Sequence, residues 1–400
     1  MKVLQVISSF PPAYSYGGPL GVTYRVSKEL VRRGHDVTVF TTDVYDAKSR
    51  FAFQQNPVFM DGIEVYHFRN LSNRLAHNNL TIAPTMARAL RKQIASFDLV
   101  HLREYRSFQA ALVHRYATKK NVPYILQAHG SLPRVIEKQN LKRVFDEIVG
   151  FKLLSDAALI VALTELESNQ AKLMGVREHR IKIIPNAIDL EDYRSLPEAG
   201  VFRNKYGLSE KDRVILFLGR IHKVKGIDLL LQAFLALSIE LANAKLVIAG
   251  PDEDGSSSVL QKKAKDMRIS DRVIFPGPLY GRAKLEAYVD ADVYVLPSKY
   301  ETFPNTVLEA AACGTPVILT DRCGIAETFR KYGLVVGHDV NQLRDALLSV
   351  LKDDTKRHQL AQEGRELVQR EFRWDKVMKE IEKTYSDVAG QATSADRREN

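Results

Sequence analysis

The sequence predicts an α/β protein built from two doubly wound domains. Short β-branched runs alternate with amphipathic helical stretches along the whole chain, the pattern of parallel sheets covered by helices. The alternation restarts once, near Pro185 to Pro197, and the 400 residues exceed the roughly 100–200 that one core usually organises.

In the first half, strands are expected at residues 3–8, 36–42, 63–68, 99–102, 124–128, 159–162 and 181–184. Helical periodicity fills most intervals, as over 22–33 and over 83–97, where Ala87, Leu90, Ile94 and Phe97 recur on one side. The second half repeats the scheme with strands at 214–218, 246–249, 273–275, 293–296 and 317–320, and a helix over 227–240. Residues 1–185 and 186–370 are therefore assigned to the two Rossmann-like domains, and the small, polar and charged residues 389–400 to a flexible tail. A doubly wound sheet takes ligands at the carboxyl ends of its strands. Two such domains facing each other would leave a cleft lined by loops from both, where chemistry is expected.

Composition narrows the class. Hydrophobic residues at 45% and charged residues at 26% fit a globular protein and argue against long disorder, collagen-like or coiled-coil architecture. No apolar run approaches the ~20 residues of a membrane-spanning helix, and Met1-Lys2 leads straight into a strand without a cleavable signal pattern. Cys313 and Cys323 are too few for a disulfide framework or a thiolate zinc site and fit a reducing compartment, so cytoplasm is the expected location. Residues 1–185 hold 26 Lys+Arg against 15 Asp+Glu, a net charge of +11 in a chain whose total is +10. A basic first half suits an acidic membrane surface, a lipid phosphate or nucleic acid, or is simply a well-solvated surface. A nucleic-acid partner is not expected, because no helix-turn-helix, zinc or aromatic-basic motif accompanies the charge.

Three motifs carry chemistry. After the first strand, Gly17-Gly18-Pro19 opens a helix, which is either an ordinary turn or a place where backbone and helix N-terminus approach an anion. Gly219-Arg220 stands five residues before Lys225-Gly226, between strand 214–218 and helix 227–240. A guanidinium and an ammonium on one such loop suit the two phosphates of a diphosphate. Third, Glu301-Thr302-Phe303-Pro304-Asn305-Thr306-Val307-Leu308-Glu309 joins a strand end to a helix start, with Pro304 expected at the first helical position and the N–H groups of Asn305 and Thr306 directed outward. Glu301 and Glu309 could divide the hydroxyls of a sugar and a ribose, and Glu309, followed by Ala310-Ala311-Ala312, needs a partner in such surroundings.

At these residues the chain resembles the retaining nucleotide-sugar glycosyltransferases of the GT-B fold, specifically glycosyltransferase family 4 (glycosyl transferases group 1). The resemblance spans nearly the whole chain and rests on Gly17-Gly18, Pro185-Asn186-Ala187-Ile188-Asp189, Gly219-Arg220 with Lys225-Gly226, and the Glu301 to Glu309 element. Phe372-Arg373-Trp374-Asp375 with Tyr385 looks like the family's C-terminal helices, so residues 371–388 are expected to return to the first domain, with Trp374 as a core residue between domains.

The resemblance implies a hexosyltransferase. The second domain would bind a UDP-sugar, or a GDP-sugar, with Glu309 on the ribose, Arg220 and Lys225 on the diphosphate and Glu301 on the transferred sugar. The first domain would take a saccharide or lipid-linked acceptor in cell-surface polysaccharide or glycoconjugate synthesis, with Gly17 and Gly18 against the diphosphate and His129 near the sugar. The family often has glycine where Pro304 stands, so one backbone donor is missing here. Catalysis is then expected from Glu301, His129, Arg220 and Lys225, and donor binding from Gly17, Gly18, Asn305, Thr306 and Glu309 as well. Transfer with retention would stabilise the departing diphosphate. A sugar-nucleotide epimerase or hydrolase of the same fold is the alternative, and it accounts less well for the basic first half.

No cofactor or metal is expected. Asp290 and Asp292 superficially match a D-x-D metal motif but read as a helix end and a strand entry, and Asp252-Glu253-Asp254 reads as a solvated loop. Finally, Arg88, Arg91 and Lys92 on the 83–97 helix, with Arg69, Arg74, Arg103 and Arg106 nearby in sequence, suggest a basic surface resting on the inner face of an anionic membrane.

Overall fold

The structure is a computed structural model that describes residues 1–13, 18–46, 49–77, 80–134, 138–252 and 255–399. The chain divides into two units, Met1–Asn186 with Val377–Asn400, and Ala187–Lys376.

The first unit holds β1 (Lys2–Val6), β2 (Asp36–Thr42), β3 (Val58–Met60), β4 (Ile63–Phe68), β5 (Leu99–Leu102), β6 (Tyr124–Gln127), β7 (Leu159–Ala162) and β8 (Ile181–Ile183). They form one sheet in the order β3-β4-β2-β1-β5-β6-β7-β8, parallel except for β3 against β4. The chain runs outward from β1 in one direction through β2 and in the other through β5, so the topological switch lies between β1 and β5. The middle strands are rich in Val, Ile and Leu and almost wholly buried because both sheet faces are covered. Helix Pro84–Gln93 packs on one face through Met86 and Leu90, with Ile94 in the short turn beyond, all in the core around Leu4, Val6, Val100 and Leu126. Burying each such side chain contributes about 1.5–3 kcal/mol.

The second unit holds β9 (Arg213–Leu218), β10 (Ala244–Ala249), β11 (Val273–Gly277), β12 (Val293–Leu296), β13 (Val317–Thr320) and β14 (Leu334–Val336). Its sheet is parallel throughout in the order β11-β10-β9-β12-β13-β14, with the switch between β9 and β12. Helix Ile227–Glu240, nearly all apolar, is buried through Leu230, Leu231, Phe234 and Leu237.

Three differences from the sequence reading have local causes. Strands β3 and β14 are three residues long and closed by Pro57 and Asp61 or by Gly333 and Gly337, whereas Ile184 extends the apolar run of the equally short β8. The last helix runs Trp374–Glu399, so backbone expected to be a flexible tail is helical; nothing after Trp374 is a proline, and alanines favour propagation. Trp374 begins that helix only half-buried, whereas neighbouring Phe372 is buried edge-to-face against Phe303 at 6.0 Å. Further along the helix, Tyr385 is buried in the first unit, where its hydroxyl accepts from Gln5 Nε2 at 3.1 Å and meets His101 Nδ1.

Candidate active site

The loops that follow β9 and β12 leave the sheet as neighbours because the strand order reverses between them, and they carry the predicted cations and carboxylates. Lys299 N donates to Val224 O at 2.8 Å and joins the two loops directly. The β12 loop is tied to the loop after β13 by Glu301 N to Arg322 O (3.2 Å) and Gly324 N to Glu301 O (2.7 Å). Inside this lattice the Lys225 ammonium is ion-paired with the Glu301 carboxylate, both side chains mostly buried. The structure thus brings together the residue expected on the diphosphate and the one expected on the sugar. Arg220 lies on the same β9 loop, exposed.

Two glycines make this close packing possible. Gly226 has φ +69°, and a Cβ there would stand 1.9 Å from Pro297 O, so any side chain would drive the Lys225 loop off the β12 loop. Gly250, after β10, has φ +148°, and its Cβ would stand 1.8 Å from Gly219 O. Gly219 itself would meet only Phe217 at 3.6 Å, an ordinary contact. The glycine that the close approach at Gly219 requires is Gly250, which the motif spacing does not reveal because it lies in the loop after β10.

The helix after β12 spans Asn305–Ala312, with Pro304 in extended conformation (φ −83°, ψ 100°) as its N-cap. This corrects the expected first helical position for Pro304. Val307 N already donates to Pro304 O at 3.1 Å, leaving Asn305 and Thr306 as the residues at the helix's positive end. Tyr294, the second residue of β12, anchors that end: its hydroxyl donates to Leu218 O at 3.1 Å and lies in hydrogen-bond contact with Thr306 Oγ1 at 2.7 Å.

Glu309 does have a partner, as its apolar neighbours require. Lys284 Nζ lies 2.8 Å from one oxygen and the Tyr288 hydroxyl donates to the other at 3.1 Å. Lys284 and Tyr288 sit four apart on helix Gly281–Asp290, hence on one face. Burial and the Glu309 charge both raise the Tyr288 phenol's pKa, keeping it a neutral donor. That i,i+4 pair was the sequence signal for these two residues, and it was missed.

Asp290 and Asp292 perform structural tasks. Asp290 accepts from Gly200 N (2.6 Å) and Arg203 N (3.0 Å), while Asp292 accepts from Val214 N (2.8 Å) and Arg203 Nη2 (2.9 Å) and pairs with Arg213 and Arg357. Of the acidic run at 252–254, Asp252 accepts from Ser257 N at 3.1 Å, and Glu253 and Asp254 lie outside the described residues.

In the first unit, Gly18 is the first residue of helix Gly18–Arg32 and is exposed; Gly17 lies outside the described residues. At the β1/β5 switch, Glu104 takes both donors of Ser8, the backbone N–H at 2.7 Å and the hydroxyl. Burial raises the Glu104 pKa despite those bonds. A lone Glu after a strand gave no signal, and only the sheet order pairs it with Ser8. His129 follows β6 in left-handed backbone conformation (φ 48°), and the next residue, Gly130 (φ 81°), donates to the buried Glu167 carboxylate at 2.6 Å. Burial, seconded by the Arg103 charge, lowers the His129 pKa to about 3. The imidazole is therefore a neutral hydrogen-bonding group, and its Nε2 is buried with no partner.

Two arginines expected on a basic membrane face are elsewhere. Arg103 is fully buried, donating Nε to Gln5 Oε1 at 2.9 Å and bonding Gln127, and Arg106 is bound to the buried Asp146. Both follow β5 at the centre of the sheet, where positions close in sequence to surface residues turn inward.

Two doubly wound sheets, the second carrying cations, carboxylates and a helix N-terminus on its switch-point loops, have the architecture of the GT-B fold, and solved structures bear this out. Anabaena HepE, solved with UDP and glucose, superposes with a TM-score of 0.78 at 19% identity over 97% of this chain and all of that one. Sucrose-phosphate synthase from Thermosynechococcus elongatus gives a TM-score of 0.78 at 20% identity, covering 98% and 99% of the two chains. The models for Glycosyltransferase Family 4 and Glycosyl transferases group 1 match residues 16–192 and 200–367. A D-inositol 3-phosphate glycosyltransferase from Xylanimonas cellulosilytica is 30% identical across 94% of this chain and 92% of its own length. An N-acetyl-α-D-glucosaminyl L-malate synthase from Bacillus anthracis is 26% identical across 97% and 98%. The chain belongs to glycosyltransferase family 4 and is a glycosyltransferase.

Proposed function

We propose that this glycosyltransferase moves a hexosyl group from a nucleoside-diphosphate sugar, UDP ahead of GDP, to a hydroxyl of a saccharide or lipid-linked acceptor, with retention at the anomeric carbon. The observation that carries the donor reading is the juxtaposition of Lys225 with Glu301 beside Arg220, at the switch between β9 and β12. A diphosphate takes Lys225 and Arg220, freeing Glu301 to accept from hydroxyls of the sugar, while Glu309, held by Lys284 and Tyr288, accepts from the ribose. UDP is preferred because HepE, similar in fold, was solved with UDP and with UDP-glucose.

In the reaction, the bond from the anomeric carbon to the diphosphate oxygen breaks and the acceptor oxygen bonds to that carbon on the same face. The acceptor proton passes to the departing phosphate. Negative charge grows on the diphosphate as this happens, so Arg220, Lys225 and the helix end at Asn305 and Thr306 stabilise the transition state more than the ground state. These groups take the part a divalent ion would play at a diphosphate, and no cofactor is required. In the first unit, Gly18 and His129 are the residues offered to substrate, with the neutral His129 as a hydrogen-bonding group.

Incubation with radiolabelled UDP- and GDP-sugars in EDTA tests this reading. Nucleoside diphosphate should appear only when a saccharide or lipid-linked acceptor is added, and NMR of the product should show the donor's anomeric configuration. Acceptor-independent release would assign a hydrolase instead, and an inverted product would remove the retaining mechanism.

A further inference from the structure

Residues Gln139–Phe145, Asp146–Gly150 and Phe151–Asp156 form consecutive helical segments, the middle one widened to a π-turn, in the connection from β6 to β7. Their inner side carries Val149, Leu153 and Leu154 to the core, and their outer side is apolar as well. Asp146 faces inward with no exposed surface and takes Arg106 through two contacts of 2.8 Å and Arg134 Nε at 2.7 Å. Gly150 is pressed on Tyr105, where a Cβ would lie 2.4 Å from the hydroxyl. These contacts set which side of the helix turns out, and that side shows Leu141, Val144, Ile148 and Phe151, with exposures of 68, 52, 73 and 38%. Successive separations of three, four and three place the four in one stripe. A surface helix of a globular protein ordinarily turns a polar side outward, as Pro84–Gln93 does here with Met86 and Leu90 buried and Arg88, Arg91 and Lys92 outside.

Charge selects the occupant. Lys138, Arg143 and Lys152 are exposed around the stripe, and between 138 and 152 the exposed carboxylate is Glu147 alone, since Asp146 is buried between its arginines. A second copy of the chain packed on this stripe about a two-fold axis would bring like charges together. An anionic bilayer accepts both the apolar side chains and the cations around them.

We propose that Leu141, Val144, Ile148 and Phe151, with Arg143 and Lys152, dock the first unit on an anionic lipid surface, the helix lying in the headgroup plane with its stripe inserted. The surface moves from the 83–97 helix, which offers charge without apolar side chains, to one that offers both. Only the consequence, a lipid-borne acceptor, rests on the proposed transferase reading. Vesicle binding is measured without donor or acceptor and so stands or fails separately.

The test is co-sedimentation of the full chain with phosphatidylcholine vesicles, plain or with about one third phosphatidylglycerol. Binding to the acidic vesicles alone, weakened by salt, is expected. Leu141→Asn with Ile148→Asn should lower the partition coefficient by about tenfold or more, while Arg88→Glu with Arg91→Glu and Lys92→Glu should change it far less. An unchanged melting temperature and circular dichroism spectrum certify each variant's fold. Ile148→Trp supplies a second readout: its emission should shift blue and be quenched by brominated acidic lipid. Equal recovery in the supernatant with both vesicles, wild-type binding by the Asn variant, or no spectral shift at position 148 would overturn the proposal. A dimer that the Asn variant dissolves, with no vesicle binding, would make the stripe a protein interface instead.

Discussion

Lys225, on the loop after β9, is ion-paired with Glu301, on the loop after β12, so the cation proposed for the diphosphate is occupied before any donor arrives. Both side chains are mostly buried, a setting in which removing one partner leaves an uncompensated charge. Binding of a nucleoside diphosphate has to pull Lys225 away from Glu301, and binding of the sugar compensates the carboxylate thus released. Glu301→Gln should therefore leave UDP affinity unchanged or tighter by calorimetry, while depressing turnover of intact donor. Lys225→Ala and Arg220→Ala should each lower turnover by about 100-fold or more with circular dichroism intact. Loss of UDP affinity in Glu301→Gln would show that this carboxylate is not the one that competes for Lys225.

Glu309 differs in that its partners hold it without neutralising the site's cations. Lys284 and Tyr288 orient the carboxylate, and Tyr288, buried and kept neutral, cannot repel it. Glu309→Gln should weaken both UDP and uridine by about tenfold, the order expected for one charge-assisted hydrogen-bond pair. Lys284→Ala should act in the same direction with smaller effect, leaving turnover at saturating donor nearly intact. An unaltered dissociation constant for uridine in Glu309→Gln would take the ribose assignment away.

The glycines sort by contact, not by motif. Alanine at Gly226 or Gly250 meets a backbone carbonyl at under 2 Å and a backbone conformation that side chains rarely adopt, whereas alanine at Gly219 meets only Phe217 at 3.6 Å. Gly226→Ala and Gly250→Ala should lose donor binding and destabilise the second unit by about 1–3 kcal/mol or more, and Gly219→Ala should unfold near wild type in urea. A wild-type urea midpoint for Gly226→Ala would mean that the β9 and β12 loops are not locked together.

That sorting shows what sequence can and cannot carry. Twelve strands were legible because buried parallel strands are written in runs of Val, Ile and Leu, and the restart of that pattern located a boundary close to Asn186. β3 and β14 are cut short by flanking Pro57 and Asp61 or Gly333 and Gly337, whereas the equally short β8 was legible because Ile184 extends its run. Motif residues within one loop, such as Lys225-Gly226 and Glu301 to Glu309, were visible as local spacings. The Lys225–Glu301 pair, Gly250 against Gly219 and Glu104 on Ser8 were not, because each joins loops that only the strand order makes neighbours. Nor could periodicity say which face of an amphipathic segment turns inward: the 84–93 helix buries its apolar side, and the 139–156 segments bury Asp146.

The histidines of the first unit predict how stability and activity respond to acid. His129 is lowered to about 3 by burial and the Arg103 charge, His67 to about 4 by burial, and His101 well below its usual value by burial and the Arg103 charge. In each case the unfolded chain binds a proton near pH 6.5 that the folded chain refuses. Their contribution is fully present above pH 6.5 and is lost as pH falls from there toward 4. Glu104 and Glu167, raised by burial, act with the opposite sign, gaining stability as they protonate above the ordinary carboxyl range. The histidines titrate first on acidification, so urea midpoints should fall between pH 7 and pH 5, and His129→Asn should flatten that fall by up to one proton's worth of slope. Because His129 stays neutral throughout, the pH profile of kcat/KM should show no limb near 6.5 that depends on it. A limb there that disappears in His129→Asn would establish instead that the imidazole titrates in the working range and serves as an acid or base.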